Sequence, residues 1–330
     1  MERIGIIGAG AWGTALAQTL TQAGRTVTLW AHESETAAAI NERHQNPVYL
    51  SGVALDPRLR ATAALDEAAH ADALLLVVPA QHFRAVATRL RGLVSPGMPV
   101  VSCAKGIELK SGALMTEVLA ATLPEARPAI LSGPTFAAEV ARGRPTAVTL
   151  AAEEPTFGEA LVALLGSRTL RPYLSSDPVG AEIGGAVKNV EAIACGIVVG
   201  HGLGENARAA LLTRGLAEMI RLALAKGGRA ETLMGLSGLG DLALTCTSPQ
   251  SRNYSLGLEL GAGKSLAAIL GARRSIAEGV ASASAAVGLA ARVGVEMPIA
   301  AAVDAILHRG TAVGAAIEAL LSRPFRPETV

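Results

Sequence analysis

Short apolar runs alternate with helix-length stretches through the first half of the chain. Ile4–Ile7 is a brief apolar run. Gly24 ends an Ala/Leu-rich helix, and Thr26–Trp30 reads as the second strand. A helix over Glu35–Arg43 leads into a polar loop through Asn46-Pro47. Ala73–Val78 is almost purely apolar and stops at Pro79, the form of a central parallel strand covered on both faces. The pattern then predicts helix Gln81–Arg91, strand Pro99–Cys103, helix Gly112–Leu123 and strand Ala129–Ser132. Strand Thr146–Leu150, a helix near Thr156–Leu165 and a strand near Thr169–Tyr173 complete the series. Strands alternating with helices at this spacing predict an α/β domain with a doubly wound, mostly parallel sheet.

The texture changes near Ser175. Asp177-Pro178 is a helix-start signal, and no strand-like run follows it. Ala181–Val199, Ala207–Lys226, Tyr254–Leu260, Leu266–Leu270, Glu278–Val293, Ile299–Leu307 and Val313–Leu321 all read as helices. The predicted division is residues 1–176 for the α/β domain and 177–330 for an all-helical C-terminal domain.

The first strand runs into Gly8-Ala9-Gly10-Ala11-Trp12-Gly13, a G-x-G-x-x-G turn that opens a helix. Gly8 permits the tight turn, Gly10 lets backbone approach a pyrophosphate, and Gly13 lets helix lie close to strand. The helix N-terminus offers unpaired N–H groups to the anion. This context makes the predicted sheet Rossmann-type. After the second strand comes Ala31-His32-Glu33, where an acid would bind the ribose hydroxyls of NAD. Glu33 could do so, His32 could sit near a 2′-phosphate, or both could be solvated at a helix start.

Composition narrows the classes. The chain has 330 residues, long for one core. Aromatics are 3%, which argues against stacking on single-stranded nucleic acid, and a net charge of +1 offers no field for polyanions or membranes. Ile4–Leu20 carries no charge, but a signal peptide would need more basic residues than Arg3, and glycines interrupt the run. Elsewhere, uncharged runs such as Gly279–Ala291 fall short of a membrane span, so a cytoplasmic protein is expected. Cys103, Cys195 and Cys246 are scattered without C-x-x-C spacing, which predicts reduced, buried thiols and no metal site.

Of 29 basic residues only Lys105, Lys110, Lys188, Lys226 and Lys264 are lysines. Arginine keeps its proton near neutral pH, whereas lysine can give it up, so each lysine is a candidate for proton transfer. Lys188 lies in Gly184-Gly185-Ala186-Val187-Lys188-Asn189, on the same helix face as Gly184, whose bare surface leaves room for an approach. An Ala/Val/Ile helix would desolvate that lysine and lower its pKa. The alternative is a lysine snorkelling from a half-buried helix. Asp241 follows in the glycine-rich Gly235–Gly240 loop. Ser251, Arg252 and Asn253 stand where a helix begins, a combination suited to phosphate or, more simply, to ordinary capping.

Five stretches in order carry a family resemblance: Gly8–Ala15, Ser132-Gly133-Pro134-Thr135-Phe136-Ala137, Gly184–Asn189, Gly238-Leu239-Gly240-Asp241-Leu242 and Gln250-Ser251-Arg252-Asn253. Together they closely resemble the bacterial NAD(P)-dependent sn-glycerol-3-phosphate dehydrogenases, nearly end to end. The resemblance implies reversible reduction of dihydroxyacetone phosphate to sn-glycerol 3-phosphate, a precursor of phospholipids. It implies Lys188 as the proton-transferring catalytic residue. On physical grounds Asp241 orients the lysine as its catalytic partner. Lys105, Gly133, Thr135, Asp241, Ser251, Arg252 and Asn253 would surround the substrate with Lys188. Beside Gly8, Gly10 and Gly13, the cofactor would touch Ala11, Trp12, His32 and Lys105, and further along Ala137, Arg252, Ile276 and Glu278. Ala11 stands where many relatives have serine, which leaves backbone donation alone there. NAD and NADP stay open, a homodimer is implied, and the Lys188 amine is expected to face the nicotinamide in a cleft between the halves.

Two other readings compete. One is another two-domain reductase acting on a keto acid, such as a 3-hydroxyacid dehydrogenase or ketopantoate reductase. The other is a redox sensor that holds NAD(P) without catalysis, a role with no use for Lys105, Lys188 and Asp241 as proton-handling groups.

Overall fold

The computed structural model describes residues 3–273, 277–325 and 327. The chain forms two compact units, and the division is not a single cut. Residues 1–104 and 115–178 make one unit, while 105–114 join 179–330 in the other.

The first unit is built on an eight-stranded sheet. It opens with β1 (Arg3–Ile7), α1 (Ala11–Gln22), β2 (Thr26–Trp30), α2 (Ser34–Arg43), β3 (Arg60–Thr62) and α3 (Leu65–Ala69). Next come β4 (Ala73–Leu76), α4 (Ala80–Arg89), β5 (Pro99–Ser102), α5 (Met115–Thr122) and β6 (Arg127–Ser132). The unit finishes with α6 (Ala137–Ala141), β7 (Thr146–Ala151), α7 (Pro155–Leu165) and β8 (Leu170–Ser175). Strand order is β3-β2-β1-β4-β5-β6-β7-β8. All pairings are parallel except β6 with β7, which run antiparallel with Leu131 opposite Leu150. The winding reverses between β1 and β4, and in open sheets of this kind ligand binds at the strand C-termini beside that reversal.

The central strands form where the sequence is uniformly apolar. Leu74, Leu75 and Leu76 of β4 and Val100 and Val101 of β5 are fully buried, with helices covering both faces. Three elements had no periodic signal to announce them. β3 is three residues long, and α3 and α6 are five each. The helix expected over Gly112–Leu123 begins instead at Met115, because Gly112 takes φ +69° and belongs to the segment that joins the other unit.

The second unit is helical throughout its described residues. It contains α8 (Pro178–Gly200), α9 (Gly204–Ala225), α10 (Ala230–Leu233), a π-turn (Leu236–Gly240) and α11 (Asp241–Thr247). Then follow α12 (Arg252–Gly261), α13 (Leu266–Gly271), α14 (Glu278–Arg292), α15 (Pro298–His308) and α16 (Val313–Leu321). By length and composition α8 could cross a membrane, but 89% of its apolar window is buried inside the protein. It is the core helix of this unit, with Ile183, Val187, Val190 and Ile193 fully enclosed. α12 crosses it at backbone contact: a Cβ on Gly257 would lie 2.1 Å from the Ile193 carbonyl, and one on Gly196 would lie 2.2 Å from the Tyr254 carbonyl. That close crossing fixes the start of α12 relative to the middle of α8.

Candidate active site

The glycine turn lies in the first unit, between β1 and α1. Gly8 takes φ +121°, and a Cβ there would meet the Val77 carbonyl at 2.5 Å. A Cβ on Gly13 would stand 1.9 Å from the Gly8 carbonyl, so helix and turn pack backbone to backbone. Gly10 differs. Nothing lies within 4 Å of the space its Cβ would fill. Gly10 caps α1 without a side-chain bond, and no acid sits in the first turn. The first-turn amides, those of Ala11 and Trp12 among them, therefore face an open cradle suited to a pyrophosphate. The Trp12 indole Nε1 is buried and has no hydrogen-bond partner among the described residues. On these observations the turn fits a dinucleotide.

Asn46 holds this turn and escaped the sequence reading, where it was only loop punctuation before Pro47. It is fully buried, and its Nδ2 donates to the Ala9 carbonyl and to Thr14 Oγ1, both at 2.8 Å. At the end of β2, the exposed His32 sets its ring edge-on to Trp30 with centroids 5.8 Å apart. The Glu33 carboxylate accepts a hydrogen bond from the Tyr49 hydroxyl. Gly133 follows β6 at φ +147°, Thr135 Oγ1 donates to its carbonyl at 3.2 Å, and Ala137 opens α6.

A different constellation forms in the helical unit. Lys188, in the middle of α8, places Nζ 2.5 Å from Oδ1 of Asp241 and 2.9 Å from Oγ1 of Thr245. Lys105 reaches the other carboxylate oxygen, Oδ2, at 2.8 Å. One buried carboxylate thus bridges two ammonium groups. Asp241 is 1% exposed and Lys188 5%. Burial pushes the Lys188 ammonium down to about 8; the Asp241 charge beside it opposes that shift, while Lys105 adds to it. Two protons of the ammonium are engaged, which leaves one N–H without a partner among the described residues.

Two expectations about this cluster need correction. Asp241 is not in a loop: it is the first residue of α11, reached through the π-turn. The space at Gly184 is not open to a ligand. A Cβ there would lie 2.4 Å from the Ser237 carbonyl, so that glycine admits the backbone of the π-turn. This packing carries Asp241 to Lys188. Thr245 went unassigned, although its position one turn after Asp241 was the signal: its hydroxyl donates to the Asp241 carbonyl at 2.6 Å while accepting from Lys188.

Ser251 caps α12, its Oγ accepting from the Tyr254 amide at 3.2 Å, and Arg252 is the exposed first residue of that helix. Asn253 is buried with its amide engaged at both ends. Nδ2 donates to Asn189 Oδ1 at 2.8 Å, and Oδ1 accepts from the Gly279 amide at 3.0 Å. Asn189 Nδ2 in turn donates to the Lys105 carbonyl at 3.3 Å. These bonds tie α8, α12, α14 and the Lys105 segment together. Glu278 opens α14, half-buried, and Ile276 lies outside the described residues. Of the residues singled out from the sequence, Lys105, Lys188, Asp241 and Asn253 thus join one network, with Ser251 and Arg252 at its α12 end. Gly133 and Thr135 belong to the first unit with the glycine turn.

Comparisons with known proteins match both units. The family described as NAD-dependent glycerol-3-phosphate dehydrogenase matches with its N-terminal part over residues 3–158 and its C-terminal part over 177–318. The chain is 63% identical to a glycerol-3-phosphate dehydrogenase [NAD(P)+] of Rhodospirillum rubrum, over 99% of this chain and 94% of that protein. It is 60% identical to the protein of that name from Parvibaculum lavamentivorans, over 99% and 98%. Among solved structures, the glycerol-3-phosphate dehydrogenase of Coxiella burnetii superposes with a TM-score of 0.93 at 40% identity, covering 98% of this chain and 99% of that one. With both units matched, with the glycine turn intact and with Lys188 seated on Asp241, the chain belongs to the NAD-dependent glycerol-3-phosphate dehydrogenase family.

Proposed function

We propose that this chain reversibly reduces dihydroxyacetone phosphate to sn-glycerol 3-phosphate with NAD(P)H. The observation that carries the reading is the buried Lys188 ammonium, held by Asp241 and Thr245 with one N–H left over. NAD(P)H, when bound, would supply the hydride for the ketone carbon. The backbone amides after Gly10 would hold its pyrophosphate. Negative charge builds on the carbonyl oxygen as that carbon is reduced, and Lys188 Nζ stabilises it and donates its proton. Asp241 keeps the amine charged against its burial, and Thr245 fixes its direction. In the reverse direction the neutral Lys188 amine takes the proton from the secondary hydroxyl. Arg252, beside the start of α12, pairs with the substrate phosphate, and that remote binding energy orients the carbonyl. Gly133, Thr135, Lys105 and Ser251 complete the proposed substrate site. Asn253 acts there by holding Asn189 and α14 in place.

Loss of absorbance at the nicotinamide band tests the reading, with dihydroxyacetone phosphate and each reduced cofactor in turn. Oxidation of the cofactor with the triose phosphate and not with 2- or 3-keto acids supports it. Turnover on keto acids alone, or binding without turnover, overturns it. A homodimer working in the cytoplasm belongs to the same proposal, tested by sedimentation velocity and cell fractionation.

A further inference from the structure

Glu33 ends the turn after β2, the place from which an acid reads ribose hydroxyls in dinucleotide folds. It is the N-cap residue of α2, yet its side chain makes no capping bond. Oε1 instead accepts from the Tyr49 hydroxyl at 3.2 Å. Tyr49 is itself held, because its amide donates to Asn46 Oδ1 at 3.1 Å and Asn46 is bonded to the Ala9 carbonyl and Thr14. A continuous path of hydrogen bonds thus runs from the glycine-rich turn through Asn46 and Tyr49 to the Glu33 carboxylate. Partial burial, and then the carboxylate, raise the Tyr49 pKa, so its hydroxyl keeps its proton and stays a donor.

Of the charges around Glu33, Arg89 is held over the Trp30 ring, 5.2 Å from its centroid. Glu35 adds a second acid in the first turn of α2. Arg58 is engaged by Asp56, and Arg60 donates to the Pro57 carbonyl. Arg43 is at the far end of α2, about 15 Å from Glu33 along the helix axis. His32 is set edge-on against Trp30.

We infer that Glu33, fixed in place by Tyr49, accepts hydrogen bonds from the adenosine ribose and makes this chain prefer NAD(H) over NADP(H). A 2′-phosphate removes the hydroxyl that the carboxylate accepts from and brings like charge against it. Both effects oppose NADP(H). The inference rests on the reading that the glycine turn holds a nicotinamide dinucleotide.

Direct titration of the full chain with NADH and with NADPH, by calorimetry or by quenching of protein fluorescence, tests it without turnover. The pair 5′-AMP and adenosine 2′,5′-bisphosphate isolates the ribose position. NADH is expected to bind at least about tenfold tighter than NADPH, a difference of ~1.4 kcal/mol. Glu33→Gln should bring the two within about threefold, and Glu33→Arg should invert the order. Tyr49→Phe should weaken NADH while leaving NADPH unchanged. Equal binding of both cofactors by the unaltered chain overturns the inference, as does a Glu33→Gln variant whose two affinities fall in parallel. Failure to bind either nucleotide overturns the cofactor reading as well, so the two failures are told apart.

Discussion

Lys188 Nζ sits 2.5 Å from Oδ1 of Asp241, in a site where the two residues are 5% and 1% exposed. An ion pair so enclosed is weak support for stability, because desolvating both charges offsets much of their attraction. In the proposed mechanism its value is chemical. The carboxylate keeps a proton on an amine that burial would otherwise strip, and holds it in one direction.

Lys188→Ala removes the proposed proton donor and leaves the glycine turn untouched. Turnover should fall by about 10²–10⁴-fold while the dissociation constant for the dinucleotide stays unchanged. Steady-state kinetics and direct titration measure the two quantities. A variant that keeps near-normal kcat removes Lys188 from the chemistry.

The pH dependence follows from the same residue. With Lys188 brought down to about 8, the proposed reduction step uses the ammonium and should decline as pH rises through that value. Alcohol oxidation requires the free amine and should rise over the same interval. Asp241→Asn takes away the charge that raises the lysine's pKa, so the falling limb of the reduction profile should move to lower pH. An unmoved limb would assign it to another group.

Arg252→Ala is expected to act on substrate binding. Loss of a charge-assisted pair with phosphate should raise KM for dihydroxyacetone phosphate by about 10–100-fold, with a smaller effect on kcat. An unchanged KM removes Arg252 from the phosphate site.

Glu191, one turn beyond Lys188 on α8, is fully buried, and neither carboxyl oxygen has a hydrogen-bond partner among the described residues. It lies against Gly215, and burial followed by the neighbouring Glu218 pushes its pKa well above the usual range. Glu218, which accepts the Ile299 and Ala300 amides, is pushed up to about 7, chiefly by burial. Both groups are raised above their unfolded values. Their contribution to stability is therefore present below about pH 4.5 and lost as pH rises, for Glu218 through about 7. Thermal midpoints should fall between pH 5 and pH 8. Glu191→Leu should flatten that fall and stabilise the protein at pH 8 by on the order of 1–3 kcal/mol. A steeper fall, or destabilisation at pH 8, contradicts this account.

Gly13→Ala tests the turn. Its Cβ would stand 1.9 Å from a backbone carbonyl that has nowhere to go, so helix α1 must separate from the turn. A stability loss of about 1–3 kcal/mol and loss of dinucleotide binding are expected, read by thermal denaturation and titration.

Much of the architecture was legible in the chain, for local reasons. Ala73–Val78 has the form of a strand buried on both faces and contains β4 at Ala73–Leu76, Gly8, Gly10 and Gly13 announced their turn, and α8 was visible as a long apolar helix. The scarcity of lysine sets Lys105 and Lys188 apart in the sequence alone. β3 stayed hidden, because Arg60–Thr62 is too short to show a period and forms by pairing with Thr28–Trp30.

What folding alone decided is which distant groups meet. Residue types and the local elements that carry them are written in the chain: an amine on an apolar helix, an acid after glycines, an asparagine before a proline. The tertiary structure decided that Gly184 admits the backbone carrying Asp241, that residues 105–114 join the helical unit and bring a second ammonium to that acid, and that Asn46 and Tyr49 link the glycine turn to Glu33. The physical reason is that spacing and periodicity report contacts within an element. Packing between elements depends on volumes and hydrogen-bond partners supplied from elsewhere in the chain.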